Sequence, residues 1–154
     1  MNIAPLKDFA PAIALWNRCV QAGEVLYAPM DDNLFAQKFV HNAGCDPDLL
    51  LGAEIDGQLA GLIHGVAPGM FPGSRPEIGY LTVVLADSAW RGQGVGRALL
   101  EACRAEAQRR GCTSLELSVW CFNQEAVAFY QHCGYATRTL RMECPLSKAQ
   151  DNCS

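Results

Sequence analysis

The chain has 154 residues, half of them hydrophobic, and a formal net charge of −4 at neutral pH. This length predicts one domain around one core, and no apolar run approaches the roughly 18 residues of a membrane-spanning helix. The acidic balance gives no electrostatic reason to expect nucleic acid or an anionic membrane surface as a partner. Because the first eight residues lack a signal peptide's charged-then-apolar order, we expect a cytoplasmic protein.

Eight cysteines are spread along the chain, and the nearest neighbours lie nine positions apart. No C-x-x-C pair is present to seed a zinc or redox site, so no metal is expected. The favoured interpretation is reduced thiols that act as small apolar side chains in a cytosolic core. A disulfide framework or a metal site is the alternative.

The N-terminal part predicts a short strand at residues 2–5 and then two helices. Asp8 is expected to cap the first helix, which ends at Gly23. Its apolar stripe has helical spacing and consists of Phe9, Ile13, Trp16 and Val20. The second helix is expected to begin at Asp31 or Asp32 and to stop near Gly44.

From residue 49 the apolar pattern changes to that of strands. Residues 49–55 and 58–66 flank the pair Asp56-Gly57, which is a strong signal for a two-residue hairpin turn. A proline-containing loop follows, and the next strand is expected at residues 77–85.

The C-terminal part predicts a helix that begins at residue 92 or 94 and ends at residue 110. A strand at residues 114–119 follows, and Asn123 is expected to cap a fourth helix that closes at Gly134. The last predicted strand covers residues 135–144. The order β-α-α-β-β-β-α-β-α-β indicates a single α/β (α+β) domain with a central mixed, mostly antiparallel sheet and about four helices.

A glycine-rich loop at residues 91–97 runs directly into the third helix. Glycines let the backbone pass close to a ligand, and the helix behind them offers unpaired N–H groups and the positive end of its dipole. These features predict a site for phosphate or diphosphate.

A dinucleotide-binding loop is the competing interpretation, and with it an oxidoreductase. That loop reads G-x-G-x-x-G, whereas here Arg97 replaces the third glycine, although Glu116 supplies an acidic residue about 20 positions later. A dinucleotide fold also begins with its glycine loop, but 91 residues precede Gly92 in this chain. The dinucleotide interpretation is therefore disfavoured.

Two sequence blocks resemble the GNAT superfamily of N-acetyltransferases. One is Arg91-x-x-Gly94-x-Gly96, which follows an apolar strand and opens a helix. The other, residues 123–135, begins with an asparagine, carries an aromatic pair and ends on Gly-Tyr. The resemblance implies an enzyme that transfers an acetyl group from acetyl-CoA to a primary amine of a small molecule or peptide by direct attack. The alternative is a non-catalytic module of the same fold that only binds acyl-CoA.

The resemblance also implies which residues contact the coenzyme. Backbone N–H groups of the glycine loop would hold the diphosphate, and the end of the preceding strand would pair with the pantetheine arm. The implied coenzyme-binding residues are Val84, Leu85, Ala86, Arg91, Gly92, Gln93, Gly94, Val95, Gly96, Arg97, Asn123 and Tyr130. Many members of the family carry valine and proline at the positions of Ala86 and Ser88. Because the implied contacts come from the backbone, they tolerate these differences.

Two catalytic roles follow from the same resemblance. Tyr130 would protonate the departing thiolate, since a phenol remains protonated at neutral pH; otherwise it is a buried aromatic beside Phe129. Glu77 is the first candidate for the base that deprotonates the amine, and an exposed charge at a strand start is the equal alternative. Glu116 is the second candidate, and a surface or structural role is the simpler interpretation for it. His64 is predicted to be a satisfied residue at a strand edge.

The acceptor is expected at residues 24–32 and 67–76, where the family shapes its acceptor pocket. Tyr27, Met30 and Phe71 would line an apolar slot. Asp31 or Asp32 would attract an ammonium group or simply cap a helix. The expected partners are acetyl-CoA and an amine acceptor, with no nucleic acid, membrane or metal, and a homodimer is left open.

Overall fold

The computed structural model describes residues 1–25, 27–42, 45–66 and 77–147, which divide into two compact units at residue 118. The elements in these ranges are β1 (Asn2–Pro5), α1 (Ala10–Gln21), α2 (Asp32–Phe39), β2 (Leu50–Ile55), β3 (Gln58–Val66), β4 (Ile78–Ala86), α3 (Val95–Arg109), β5 (Ser114–Leu117) and α4 (Gln124–His132). None of the described helices is both long and apolar enough to cross a membrane.

The first unit is built on a five-stranded sheet in the order β1-β2-β3-β4-β5. The first three pairings are antiparallel and the pairing of β4 with β5 is parallel, so the predicted mixed sheet is confirmed. β2 and β3 form the predicted hairpin. Its turn residues Asp56 and Gly57 have φ values of 51° and 76°, the left-handed backbone that two-residue hairpin turns favour.

Helices cover both faces of this sheet. Successive strand residues point to opposite faces. Leu62 packs in the cluster formed with α1 and α2, while a side chain at Gly61 would meet Val95 of α3 at 2.7 Å. Glycine at this position therefore lets the start of α3 lie directly on β3. The largest members of the cluster beneath α1 and α2 are Trp16, Phe35, Phe39, Leu15 and Leu62.

Of the side-chain caps predicted for α1 and α2, only that of α2 is confirmed. Asp31 accepts a hydrogen bond from the Leu34 N–H at 2.8 Å and caps α2. The predicted Asp8 cap of α1 is wrong, because Phe9 occupies the cap position and makes no side-chain cap bond. Asp8 lies two residues before α1 and accepts from the Ala10 N–H at 3.2 Å. α2 ends at Phe39, about one turn earlier than the sequence suggests.

The predicted last strand is wrong. Residues 135–147 contain no helix or strand. A strand is defined by ladder hydrogen bonds to a neighbour, and the alternation of apolar residues in this segment does not by itself supply one. β5 is also shorter than predicted, because its pairing with β4 ends where Leu81 lies opposite Leu117.

Candidate active site

One edge of β4 is open along its second half. β4 pairs with β3 through Ala86, but it pairs with β5 only through Leu81. From residue 82 to residue 86, no strand in the described ranges bonds to this second edge. The pairing of the two parallel strands therefore ends three residues before the predicted coenzyme-binding segment, which begins at Val84.

The backbone groups of this segment have a fixed direction. The Asp87 N–H donates to the Ala60 carbonyl at 2.8 Å, so this residue bonds towards β3. Because antiparallel ladders alternate, Leu85 also bonds towards β3, and the N–H and C=O groups of Val84 and Ala86 point to the open edge. An extended chain adds to such an edge as an extra strand.

The glycine-rich loop forms a sharp turn between β4 and α3. A short 3-10 turn, Ser88–Trp90, leads into it. Gly92 and Gly94 both have φ of +78°, a left-handed conformation that strains any residue with a side chain. A Cβ atom at either glycine would meet no heavy atom within 4 Å, so open space lies beside both residues.

The N-terminus of α3 has no side-chain cap. Gly94 occupies the cap position, and the first helical hydrogen bond runs from the Ala98 N–H to the Gly94 carbonyl at 2.9 Å. The N–H groups of the first turn thus have no acceptor within the helix, and the helix dipole places partial positive charge at the same point. Both features favour an anion.

Two ion pairs join α1 and the residues just after it to the loop, and sequence reasoning missed both. Arg18 contacts Asp87 at 2.8 Å, and Glu24 contacts Arg91 at 3.3 Å. Asp87 also accepts from the Ala89 N–H, and this bond and the Arg18 guanidinium lower the pKa of its carboxyl group. The sequence signal for this cap was an aspartate directly before a short helix. No sequence signal indicated the two ion pairs, because their partners are distant along the chain.

The first candidate base lies just before β4 and the second lies on β5. Glu77 directly precedes β4, where its carbonyl oxygen accepts from the Thr113 N–H at 2.8 Å. Seven residues of strand, about 23 Å, separate it from Val84. The Glu77 carboxylate is thus out of direct reach of an amine near Val84, and its role as the base stays a prediction. Glu116 lies on β5, opposite Tyr80.

Asn123 and Tyr130 belong to the second unit, at the two ends of α4. Asn123 caps this helix as predicted, accepting from the Ala126 N–H at 3.2 Å. The Tyr130 ring contacts the rings of Phe129 and Tyr135, with centroid distances of 5.4 and 5.8 Å. Contacts of Asn123 and Tyr130 with the coenzyme stay predictions.

His64 is not at a strand edge, contrary to the sequence-based prediction. It lies on β3, which has a strand on each side, and only 1% of it is exposed. Its Nδ1 is 2.5 Å from the Thr82 hydroxyl, and its Nε2 is 3.5 Å from the Cys45 sulfur. Burial, and secondarily the charge of Lys38, lowers the pKa of the imidazole to about 4.

The predicted acceptor region is described in part. Met30 is 6% exposed and packs in the core; both of its backbone groups bond to the Asn17 side chain, so it does not line an open slot. Tyr27 is 41% exposed. Residues 67–76, with Phe71, lie outside the described residues. Across the described ranges, no cluster of three or more histidine, cysteine or acidic residues is arranged to hold a metal ion.

Comparison with known proteins agrees with this geometry. The family model described as "Acetyltransferase (GNAT) family" matches residues 11–135. An acetyltransferase of Pectobacterium atrosepticum is 29% identical over 84% of this chain and 82% of its own length.

Two solved structures share the fold. An aminoglycoside acetyltransferase from an uncultured soil metagenomic sample superposes with a TM-score of 0.71 at 16% identity, covering 95% of this chain and 96% of that one. The ribosomal-protein-S18-alanine N-acetyltransferase of Escherichia coli superposes with a TM-score of 0.66 at 22% identity, covering 90% and 79%. The chain therefore belongs to the GNAT family of acetyltransferases.

Proposed function

We propose that this protein transfers an acetyl group from acetyl-CoA to a primary amine of a small molecule or peptide, by direct attack of the amine on the thioester. The observation that carries the proposal is the continuity of two features. The open edge of β4 leads through residues 87–94 to the uncapped N-terminus of α3. Acetyl-CoA has an extended amide-bearing arm and a diphosphate. The arm would bind along the open edge of β4, and the diphosphate would bind at the N-terminus of α3.

The residues of the loop and strand would divide the coenzyme between them. N–H groups of residues 92–97 would hold the diphosphate, where Gly92 and Gly94 leave open space. Val84 and Ala86 would bond to the pantetheine arm through their outward backbone groups. An N–H of this strand segment would also polarise the thioester carbonyl, as an oxyanion hole does. The bound thioester supplies the activated acetyl group.

Two side chains would carry out proton transfer, one just before β4 and one on α4. An acceptor amine with a pKa near that of lysine, about 10.4, needs about 4–5 kcal/mol to lose its proton at pH 7. Glu77 would accept this proton through a water chain. Tyr130 would donate a proton to the departing thiolate. Asn123 would add a side-chain contact to the coenzyme while it caps α4.

A binding and turnover experiment tests this proposal. Purified protein is titrated with acetyl-CoA and, separately, with NADH, and acetyl transfer is then followed across amino acids, amino acid amides, peptides, polyamines and aminoglycosides. We expect saturable acetyl-CoA binding, no NADH binding, and transfer to at least one amine. Binding without transfer would favour the non-catalytic module, and NADH binding would favour the dinucleotide interpretation.

A cytoplasmic location also stays a prediction, which cell fractionation would test.

A further inference from the structure

A lysine side chain is held among three aromatic rings on the face of the sheet that carries α1 and α2. The Lys38 Nζ lies 5.3, 5.1 and 5.7 Å from the ring centroids of Trp16, Tyr27 and Phe39. We call these three rings the aromatic box. Each distance is within the range of a cation–π attraction, so the rings hold the ammonium group near them.

The aromatic box is buried on one side and exposed on the other. Trp16 and Phe39 are 1% and 2% exposed, and the Trp16 Nε1 donates to the Ala28 carbonyl at 2.9 Å. Tyr27 stacks on Trp16 with a centroid distance of 5.0 Å and is 41% exposed. The ammonium group is thus fixed by buried rings at a place that solvent reaches.

This ammonium group forms no ion pair with a carboxylate of the described residues. Four arginines in those ranges do form such pairs, namely Arg18, Arg91, Arg109 and Arg110. The charge of Lys38 is nevertheless felt nearby, because it contributes to the lowered pKa of His64. A fixed cation with no acidic partner is suited to receive an anion.

Contacts connect the aromatic box to the proposed thioester segment. The Phe39 ring meets the His64 ring edge-on at 4.9 Å, and His64 bonds to the Thr82 hydroxyl. Thr82 precedes Val84 by two residues, which is about 7 Å of strand. Lys38 and the backbone groups proposed to hold the thioester therefore lie on neighbouring parts of the same unit.

We propose that Lys38 recognises a carboxylate on the acceptor, so that the acceptor class is an amine that also carries a carboxylate, such as an amino acid or an acidic peptide. This inference rests on the proposed acetyl transfer. A cation already fixed by three rings loses little freedom when it binds. The same charge repels acceptors that carry only positive groups.

Matched acceptors test this inference. Each L-amino acid is paired with its carboxamide, which keeps the amine and removes the negative charge, and spermidine serves as a purely cationic acceptor. We expect wild-type kcat/KM to favour the carboxylate member of the best pair by about tenfold, the factor that corresponds to about 1.4 kcal/mol. Lys38→Met should remove that preference through KM, with kcat little changed and the carboxamide unaffected.

Two further variants separate charge from structure. Lys38→Arg keeps the charge and should retain most of the preference, and Lys7→Met, which removes a lysine elsewhere, should leave it unchanged. An equal preference in wild type and Lys38→Met, or spermidine as the best wild-type acceptor, would overturn the inference while leaving acetyl transfer intact. Absence of transfer to any amine would instead overturn both. Thermal melts confirm that each variant folds.

Discussion

At the scale of single residues, Tyr130 carries the most specific chemical role. Tyr130→Phe keeps the ring contacts with Phe129 and Tyr135 and removes only the hydroxyl group. If this hydroxyl protonates the thiolate, kcat should fall about 100-fold, the lower range for loss of a general acid, while the Kd for acetyl-CoA stays nearly constant. Tyr135→Phe is the matched control. Equal kcat in Tyr130→Phe and wild type would remove the proposed acid role.

Asp87 is expected to position the coenzyme loop. Asp87→Ala removes the bond to the Ala89 N–H together with the Arg18 ion pair, whereas Arg18→Met removes only the ion pair. Urea unfolding should show a loss of about 1–2 kcal/mol for the first variant and about 0.5 kcal/mol for the second. Acetyl-CoA affinity should weaken only in Asp87→Ala. Equal effects of the two variants would show that the cap is unimportant.

His64 predicts a specific dependence of stability on pH. Its pKa is about 4 in the folded protein against an ordinary value of 6.5 for an exposed imidazole, so the unfolded chain binds the extra proton between these values. The resulting stabilisation is complete above pH 6.5 and is lost as the pH falls towards 4. It amounts to about 3 kcal/mol, at about 1.36 kcal/mol per pKa unit.

His64→Gln removes this titration. Over pH 7 to 4, the free energy of unfolding should fall less in the variant than in wild type, and the difference should approach the full contribution of His64. Urea unfolding at four pH values measures it. Parallel curves for the two proteins would mean that the imidazole titrates normally when folded.

At the scale of elements, the end of β4 is the part of the fold that the proposal uses most directly. Ala86→Pro removes an N–H that points to the open edge, so the ladder to β3 keeps its bonds. The Kd for acetyl-CoA should rise roughly tenfold, as for one lost hydrogen bond. Affinity for 3′-phospho-ADP, which lacks the pantetheine arm, should not change. Equal weakening for both ligands would place the effect in the loop instead.

Elements with local chemical signals were predicted well. Asp56-Gly57 dictates a hairpin because both residues tolerate positive φ, and Asp31 and Asn123 cap helices through hydrogen bonds within three residues. The strand expected at residues 135–144 failed because strands depend on a partner that the local pattern does not reveal. Turn residues, capping residues and helical spacing thus predicted the hairpin and the helices, but not the extent of the sheet.

In the molecule as a whole, the contacts that could not be predicted from the sequence join residues far apart in the chain. Arg18 and Asp87 are 69 positions apart, and His64 and Thr82 are 18 apart. Nothing local distinguishes these residues from ordinary surface or core positions. The glycine-rich loop was predicted because its chemistry lies within seven consecutive residues, whereas the box around Lys38 depends on how α1 packs against α2.

Calorimetric titration of two glycine variants tests directly whether the backbone of the loop before α3 binds the diphosphate of acetyl-CoA. Gly94 and Gly111 flank the same helix with φ of +78° and +85°, and each has open space where a Cβ would lie. Gly94→Val and Gly111→Val should therefore strain the chain alike. We expect Gly94→Val to lose acetyl-CoA binding and Gly111→Val to keep the wild-type Kd; wild-type affinity in Gly94→Val would mean that this loop does not bind the diphosphate.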